Sequence, residues 1–156
     1  LVLKNKIKLK NLLKKYFINQ YYMPTVQLAL SDQIKKFVNT SIDISDGLLA
    51  DLDKMINSQN LSYKLDLKKI PISNNLKKVI HLKKLSKINF ISKGDDYQIL
   101  FTASKKKRRI IERISSNYRI KITKIGLIES FLKKSSIIDD KDRAISFKNK
   151  GYFHQF

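Results

Sequence analysis

The sequence predicts one domain of mixed α/β class (α/β or α+β), a mixed sheet flanked by helices, over residues 1–156. Three observations predict it. Segments with helical spacing of apolar residues interleave with segments of strict alternation. No internal repeat and no linker rich in Gly, Ser or Pro divides the 156 residues. A hydrophobic fraction of 42%, with 10% aromatic, is enough for one buried core.

The elements follow in order. Leu9, Leu12, Leu13, Tyr16 and Phe17 recur at i, i+3, i+4, i+7 and i+8, which is one helix face. Packing on the core is expected of it. A membrane-surface or targeting helix would need the same pattern, but no apolar signal-peptide centre or cleavage pattern follows. Tyr21-Tyr22-Met23-Pro24 ends the helix, because the residue before proline disfavours helical backbone. Ser31 is a candidate cap for a short helix carrying Ile34, Phe37 and Val38. Ser41 to Ile44 alternates as a strand, and 47–58 carries Leu48, Leu49, Leu52, Met55 and Ile56 on one helical face. Tyr63, Leu65 and Leu67 form a second strand that Pro71 closes. Ser73 caps a helix with Leu76, Val79 and Ile80. Strands are expected at 88–92 and 97–102, a helix at 104–116 and a strand at 119–128. Ile137-Ile138 and 144–147 bracket a hairpin turn at 139–142.

Charge comes next. Lys plus Arg is 33 and Asp plus Glu is 13, a formal net charge of +20. Such an excess invites nucleic acid. Only five of the 33 are arginine (Arg108, Arg109, Arg113, Arg119 and Arg143), the better reader of phosphates and bases. The lysines run from Lys4 to Lys150, in a chain also rich in Ile and Asn. All three are residues of A/T-rich codons, so compositional bias accounts for the excess, and no nucleic-acid or membrane partner is expected. Lys105 to Arg109 reads as the solvated first turns of a helix, a mild misfit with its positive end that leaves room for an anion. The absence of Cys excludes a disulfide scaffold, a thiolate zinc site and a cysteine nucleophile. No apolar run reaches the ~18 residues of a membrane span. The first residue is Leu1 rather than Met, as expected of a piece of a longer protein or of an unnatural start.

Three segments carry chemistry. Ser41 to Leu48 places Asp43, Ser45, Asp46 and Gly47 where a strand gives way to a helix. Two carboxylates about 5 Å apart repel by about 3 kcal/mol at an effective dielectric near 20, a cost that a divalent cation removes. Mg²⁺ takes one or two carboxylates together with water and phosphate oxygens. Ser45 and the free N–H groups of the helix start suit a phosphate. A plain capped helix start uses the same residues. Gly94-Asp95-Asp96-Tyr97-Gln98 precedes the apolar Ile99-Leu100-Phe101, either as a simple turn or as a carboxylate pair for a cation. Gly151-Tyr152-Phe153-His154 puts aromatics at the chain end, to dock on the core or to stack on a planar ligand. Neither His81 nor His154 has a metal-ligand partner at useful spacing, and His81 reads as a helix-surface residue.

Taken together, these segments resemble the thiamine-monophosphate kinase family. Asp43-Ile44-Ser45-Asp46-Gly47-Leu48 is similar to that family's Asp-Ile/Val-Ser-Asp-Gly-Leu segment. Gly94 to Phe101 is similar to its Gly-Gly-Glu-Asp-Tyr-Glu-Leu segment, and Gly151-Tyr152-Phe153-His154 to its closing glycine–aromatic–His. Tyr22-Met23-Pro24 and Gly126-Leu127-Ile128 fit two further family segments, in order. The resemblance implies the carboxy-terminal domain of the aminoimidazole ribonucleotide synthetase-like fold. It implies transfer of the γ-phosphoryl group of ATP to thiamine monophosphate, in the cytoplasm, with Mg²⁺. Carried over, Asp43 and Asp46 would bind Mg²⁺, Ser45 would contact ATP, and Asp95 and Tyr152 would contact the substrate. No residue is assigned as a covalent catalyst, since phosphoryl transfer rests on positioning and charge neutralisation.

This sequence departs from the family at Lys93, where a Gly is usual, at Asp95, one methylene shorter than Glu, and at Gln98, in place of a second Glu. The family's amino-terminal domain supplies further metal carboxylates, much of the phosphate site and the homodimer interface. It lies outside these 156 residues, so the chain alone is expected to be inactive. Two other readings remain: a superfamily member activating a different small substrate, and a basic non-catalytic module that binds RNA or anionic membrane.

Overall fold

The computed structural model describes residues 7–56, 59–130, 134–139 and 141–145. Its elements are α1 (Asn11–Tyr22), α2 (Leu28–Ile34), β1 (Thr40–Asp43), α3 (Leu48–Ile56), β2 (Leu61–Asp66), α4 (Asn74–Leu82), α5 (Ile88–Ile91), β3 (Ile99–Thr102), α6 (Arg108–Tyr118), β4 (Gly126–Ser130), β5 (Ser136–Ile138) and β6 (Ala144–Ile145). A 3₁₀ turn, Lys105–Lys107, leads into α6.

The class is mixed α/β as expected, but the strands form two sheets rather than one. β1 and β3 pair antiparallel, with Thr40 opposite Thr102 and Asp43 opposite Ile99. The larger sheet runs β4-β2-β5-β6. Its β2–β5 pair is parallel, and its β2–β4 and β5–β6 pairs are antiparallel.

Two apolar clusters hold these layers. The larger gathers Leu48, Leu49, Leu52, Met55 and Ile56 of α3 with Tyr63 and Leu65 of β2, Ile88 and Ile91 of α5, Leu100 and Ile137. The smaller joins Leu30 and Ile34 of α2, Phe37 just beyond that helix, and Ile114 of α6, with Ile99, Phe101, Ile120 and Ile122 against them. β3 divides its side chains between the two, because successive strand residues point to opposite faces.

Several expectations change. Ile88–Ile91 is helical, not extended: Ile88 and Ile91, three apart, are both buried, and so short an apolar segment fits either period. Only the end of 119–128 is strand; Ile120 and Ile122 serve the smaller core without pairing. Ser31 does not cap α2 but lies inside it, its hydroxyl donating to the Leu28 carbonyl at 2.7 Å. α1 forms where its periodicity places it; none of its residues is fully buried, and Leu13, Tyr16 and Phe17 of its apolar face are half-buried. The Ser73 cap is as read, its hydroxyl accepting from the Leu76 N–H at 3.1 Å. β5 and β6 pair antiparallel as the expected hairpin arms, with residues 140 and 146–147 outside those described, and Asp139 accepts from Arg143. No helix among the described residues is long and apolar enough to cross a membrane.

Leu49 has no exposed surface, and its α3 face anchors the larger cluster. Leu49→Ala is expected to cost about 3 kcal/mol. Urea unfolding of the chain checks this by a lower midpoint at unchanged slope.

Candidate functional site

Two loops separated by about fifty residues of sequence meet at one end of the β1–β3 ladder. Residues 44–47 join β1 to α3, and residues 92–98 lead into β3. Backbone bonds stitch them together. The Ile44 N–H donates to the Gln98 carbonyl, the Tyr97 N–H to the Ile44 carbonyl and the Asp95 N–H to the Ser45 carbonyl, each at 2.9 Å.

Two glycines allow the approach. A Cβ on Gly94 would lie 1.7 Å from the Ser45 oxygen, so no side chain fits there. Gly47 has φ +119°, and a Cβ on it would lie 2.8 Å from the Ser92 carbonyl carbon. Asp95 (φ 66°) and Tyr97 (φ 51°) also take left-handed backbone, which costs on the order of 1 kcal/mol or more each outside glycine. The interlock with the 44–47 loop holds that strain in place.

The residue that organises the first loop is Asp51, which the sequence reading passed over. It lies on the apolar face of α3 with no exposed surface. One carboxylate oxygen, Oδ2, accepts the N–H groups of Ser45 at 2.9 Å, Asp46 at 2.9 Å and Gly47 at 3.2 Å. The other, Oδ1, accepts the Lys54 ammonium at 3.0 Å. A carboxylate within the first turn also suits the positive end of α3. The signal in the sequence was an acid three residues after Leu48 and one before Leu52, inside an otherwise apolar stripe.

Asp51 also alters an expectation. The three N–H groups that looked available to a phosphate are taken by its carboxylate, so Ser45 has only its hydroxyl left to offer. Asp43 is exposed at the end of β1. Asp46 is paired with Lys54, whose ammonium bridges it to Asp51. Those hydrogen bonds, to Asp46 first, raise the Lys54 pKa. Asp43 and Asp46 offer the hard oxygen donors that Mg²⁺ takes. No group of three or more His, Cys, Asp or Glu among the described residues could hold a metal. A metal on Asp43 and Asp46 would therefore draw its remaining ligands from phosphates, water or another polypeptide.

On the second loop Asp95 is exposed, and its Oδ1 accepts the Tyr97 hydroxyl at 3.4 Å. The charge of Asp95 is the main cause raising the Tyr97 pKa, with smaller contributions from Tyr21 and Asp43. Asp96 is exposed as a residue, but its carboxyl has lost water to the surrounding protein and faces the charge of Asp95. Its pKa is pushed up to about 6. Structure thus joins the first two segments singled out in the sequence. The third, with Tyr152 and His154, lies outside the described residues. His81 is exposed on α4 as read. The basic 3₁₀ turn 105–107 is also solvated, and Arg108 pairs with Glu112 at 2.8 Å.

No protein-family model matches the chain. The thiamine-monophosphate kinase of Buchnera aphidicola subsp. Acyrthosiphon pisum is 32% identical over 155 residues, covering 98% of this chain and 47% of that protein. A structure of AaThiL complexed with AMPPCP and TMP superposes with a TM-score of 0.71 at 27% identity, covering 97% of this chain and 45% of that one. Escherichia coli HypE, a hydrogenase maturation protein, gives a TM-score of 0.63 at 12% identity over 82% of this chain and 41% of its own, a likeness of fold. The chain spans just under half the length of the curated relatives it matches. It is a homologue of the C-terminal part of the thiamine-monophosphate kinases.

Two expected outcomes follow from this geometry. Asp51→Asn keeps the volume but removes the charge that three N–H groups and an ammonium converge on. It should lower stability by about 3 kcal/mol. Lys54→Met, at a half-exposed ammonium, should cost less than about 1 kcal/mol. Urea unfolding of both variants decides, and an Asp51→Asn chain as stable as wild type would remove the carboxylate from its role.

The second outcome concerns pH. The Asp96 carboxyl keeps its proton to about pH 6 in the folded chain, against an ordinary value of 3.8. Folding therefore favours the protonated form, and stability falls as pH rises from about 4 to 6, then levels off. Asp96→Asn should raise stability at pH 7.5, by about 1 kcal/mol once solvent screening is allowed for, and not at pH 3.5. Thermal unfolding across that range reads the difference.

Proposed function

We propose that this chain forms the carboxy-terminal half of a thiamine-monophosphate kinase, which transfers the γ-phosphoryl group of ATP to thiamine monophosphate and yields thiamine diphosphate. The observation that carries the reading is the interlock of the 44–47 and 92–98 loops. It sets a carboxylate-bearing turn beside a second acidic loop at one end of the β1–β3 ladder.

On this reading Asp43 and Asp46 hold Mg²⁺, which, when bound, neutralises phosphate charge and orients the transferring group. The Ser45 hydroxyl contacts ATP, since its N–H is committed to Asp51. Asp95 holds its carboxylate toward solvent, where a cationic thiazolium can pair with it. Tyr152, outside the described residues, packs on the substrate rings. These groups position and neutralise, and none forms a bond to the substrate. The reaction needs an amino-terminal half of the kind the relatives carry. With that half present the protein pairs as a homodimer and works in the cytoplasm.

The test joins the amino-terminal half of the Buchnera aphidicola relative ahead of Leu1 and follows thiamine diphosphate formation from ATP and thiamine monophosphate. Turnover is expected. Asp46→Asn should cut kcat/KM at least about 100-fold, near 3 kcal/mol in the barrier. Full activity in that variant would overturn the role of Asp46. Lys93 and Gln98 alter the second loop relative to the family segment, so a panel of other small acceptors is run in parallel. Turnover of another acceptor, with none of thiamine monophosphate, would assign the chain to a different reaction on the same fold.

A further inference from the structure

Away from the two loops, a groove of about 600 Å³ lies between the 67–72 segment that follows β2, α4 and the approach to α5. It shares no residue with the candidate site. Lys68, Lys69, Lys77, Lys87 and Lys121 are five of its twelve lining residues. That share is more than twice the share of lysine in the chain, 28 of 156 residues, so composition alone does not supply the cluster. The other walls are aliphatic. Leu67 and Ile70 are buried, and Ile72, Ile80 and Leu85 are half-buried. No aromatic and no acidic residue lines the groove.

The positive charges are little compensated. Lys68, Lys77 and Lys121 make no ion pair among the described residues. Lys69 pairs with Asp66 at 2.7 Å, and that carboxylate also accepts the Lys68 N–H at 3.0 Å. Half-buried Lys87 donates to the Leu67 carbonyl at 2.6 Å and to the Lys68 carbonyl at 3.3 Å. Those two bonds tie the 67–72 segment to the start of α5 and fix one positive charge in the wall. Ammonium groups gathered on one concavity repel one another, and an anion with several charges relieves that repulsion.

The chemistry of the walls narrows the ligand. Ammonium groups are point charges, suited to phosphate oxygens arriving from several directions. Without an aromatic side chain there is no platform on which a nucleobase or other flat ring could stack. The aliphatic floor suits a hydrocarbon chain, whose burial is favourable in proportion to its area. A concave groove of this size takes one small molecule, whereas a bilayer leaflet needs an open face.

We propose that this groove is a second ligand site, for an alkyl diphosphate: the chain lies on Ile70, Ile80 and Leu85, and the phosphates sit among the five lysines. The proposal goes beyond the kinase reading and does not depend on it, since the two sites have no residue in common.

The test titrates octyl diphosphate into the full chain at about physiological ionic strength, followed by calorimetry and by backbone amide NMR shifts. Binding at least about tenfold tighter than that of inorganic diphosphate is expected. Shifts should fall at 67–72, 77–80 and 85–87 rather than at 43–47 and 92–98. Octyl glucoside, which has the chain without the charge, should not bind. Lys77→Met with Lys121→Met keeps the apolar stems, removes two charges and should weaken octyl diphosphate at least about fivefold. Lys78→Met with Lys124→Met removes the same charge from exposed positions that do not line the groove, and should leave the affinity unchanged. All four lysines are exposed, so both pairs should unfold at the wild-type urea midpoint. Inorganic diphosphate binding as tightly as octyl diphosphate would overturn the proposal. So would an equal loss in the two variant pairs, which would mark general attraction to a chain of net charge +20. Shifts confined to 43–47 and 92–98 overturn it as well, as does binding of phosphatidylcholine–phosphatidylserine vesicles with none of octyl diphosphate.

Discussion

The carboxylate of Asp51 fixes the point from which the rest of the site is built. It is fully buried, and a buried charge persists only when its hydrogen-bonding capacity is filled. Three consecutive N–H groups and one ammonium fill it. The same bonds hold the chain in the turn that carries it from β1 into α3, the helix that supplies most of one wall of the larger core. Fold stability and loop geometry therefore depend on one side chain. A change that loosened the turn would expose α3, and a change that unpacked α3 would release the turn.

From that turn the constraint passes to the second loop without any side chain in between. Gly94 lets backbone lie on backbone over Ser45, and Gly47 receives Ser92 in the same way. The β1–β3 ladder continues the contact away from the loops. β3 then ties both clusters together, with Leu100 turned into the larger and Ile99 and Phe101 packed against the smaller. An acidic loop with two left-handed non-glycine residues is thus braced at both ends, and the strain at Tyr97 is tolerable for that reason.

What the sequence could show divides along the same lines. Periodicity found the long elements, because burial on one face imposes a spacing that tertiary structure rarely overrides: α3, α4, α6 and β2 stand close to where their apolar residues place them. It failed at 88–92, where three apolar residues in four positions, Ile88, Phe90 and Ile91, suit either period and only the buried pair Ile88 and Ile91 decides. It failed for Ser31, since a hydroxyl can bond backward inside a helix as readily as cap one. The motif residues Asp43, Ser45, Asp46 and Asp95 were legible as chemistry, but their convergence was not, because a long-range backbone contact through Gly94 leaves no local pattern. Asp51 was hidden differently. A lone acid in an apolar stripe reads as a solvated edge until the turn above it is seen to aim three N–H groups at it. The depth of α1 was not legible for a related reason: apolar spacing marks which face is turned from water, not how far, and Leu13, Tyr16 and Phe17 are half-buried.

The electrostatics of the two loops bear on what can bind there. Asp43, Asp46, Asp51, Asp95 and Asp96 lie within them or at their base, five of the thirteen acids of a chain whose net charge is +20. The lysine-rich surface draws anions toward the molecule, whereas the loops themselves oppose them. A phosphate about 5 Å from one carboxylate meets roughly 3 kcal/mol of repulsion at an effective dielectric near 20, and more from several. Lys54 cancels part of this, but its ammonium is spent on Asp46 and Asp51. A phosphorylated ligand at these loops meets exposed Lys93 as a second cation, and a divalent ion that added to it would have to compete with Lys54 for Asp46. A positively charged ring faces no such barrier at Asp95. On the proposed reading, the same acidic pair of loops takes the cationic part of one substrate directly, and a metal would offset their repulsion of the anionic part of the other.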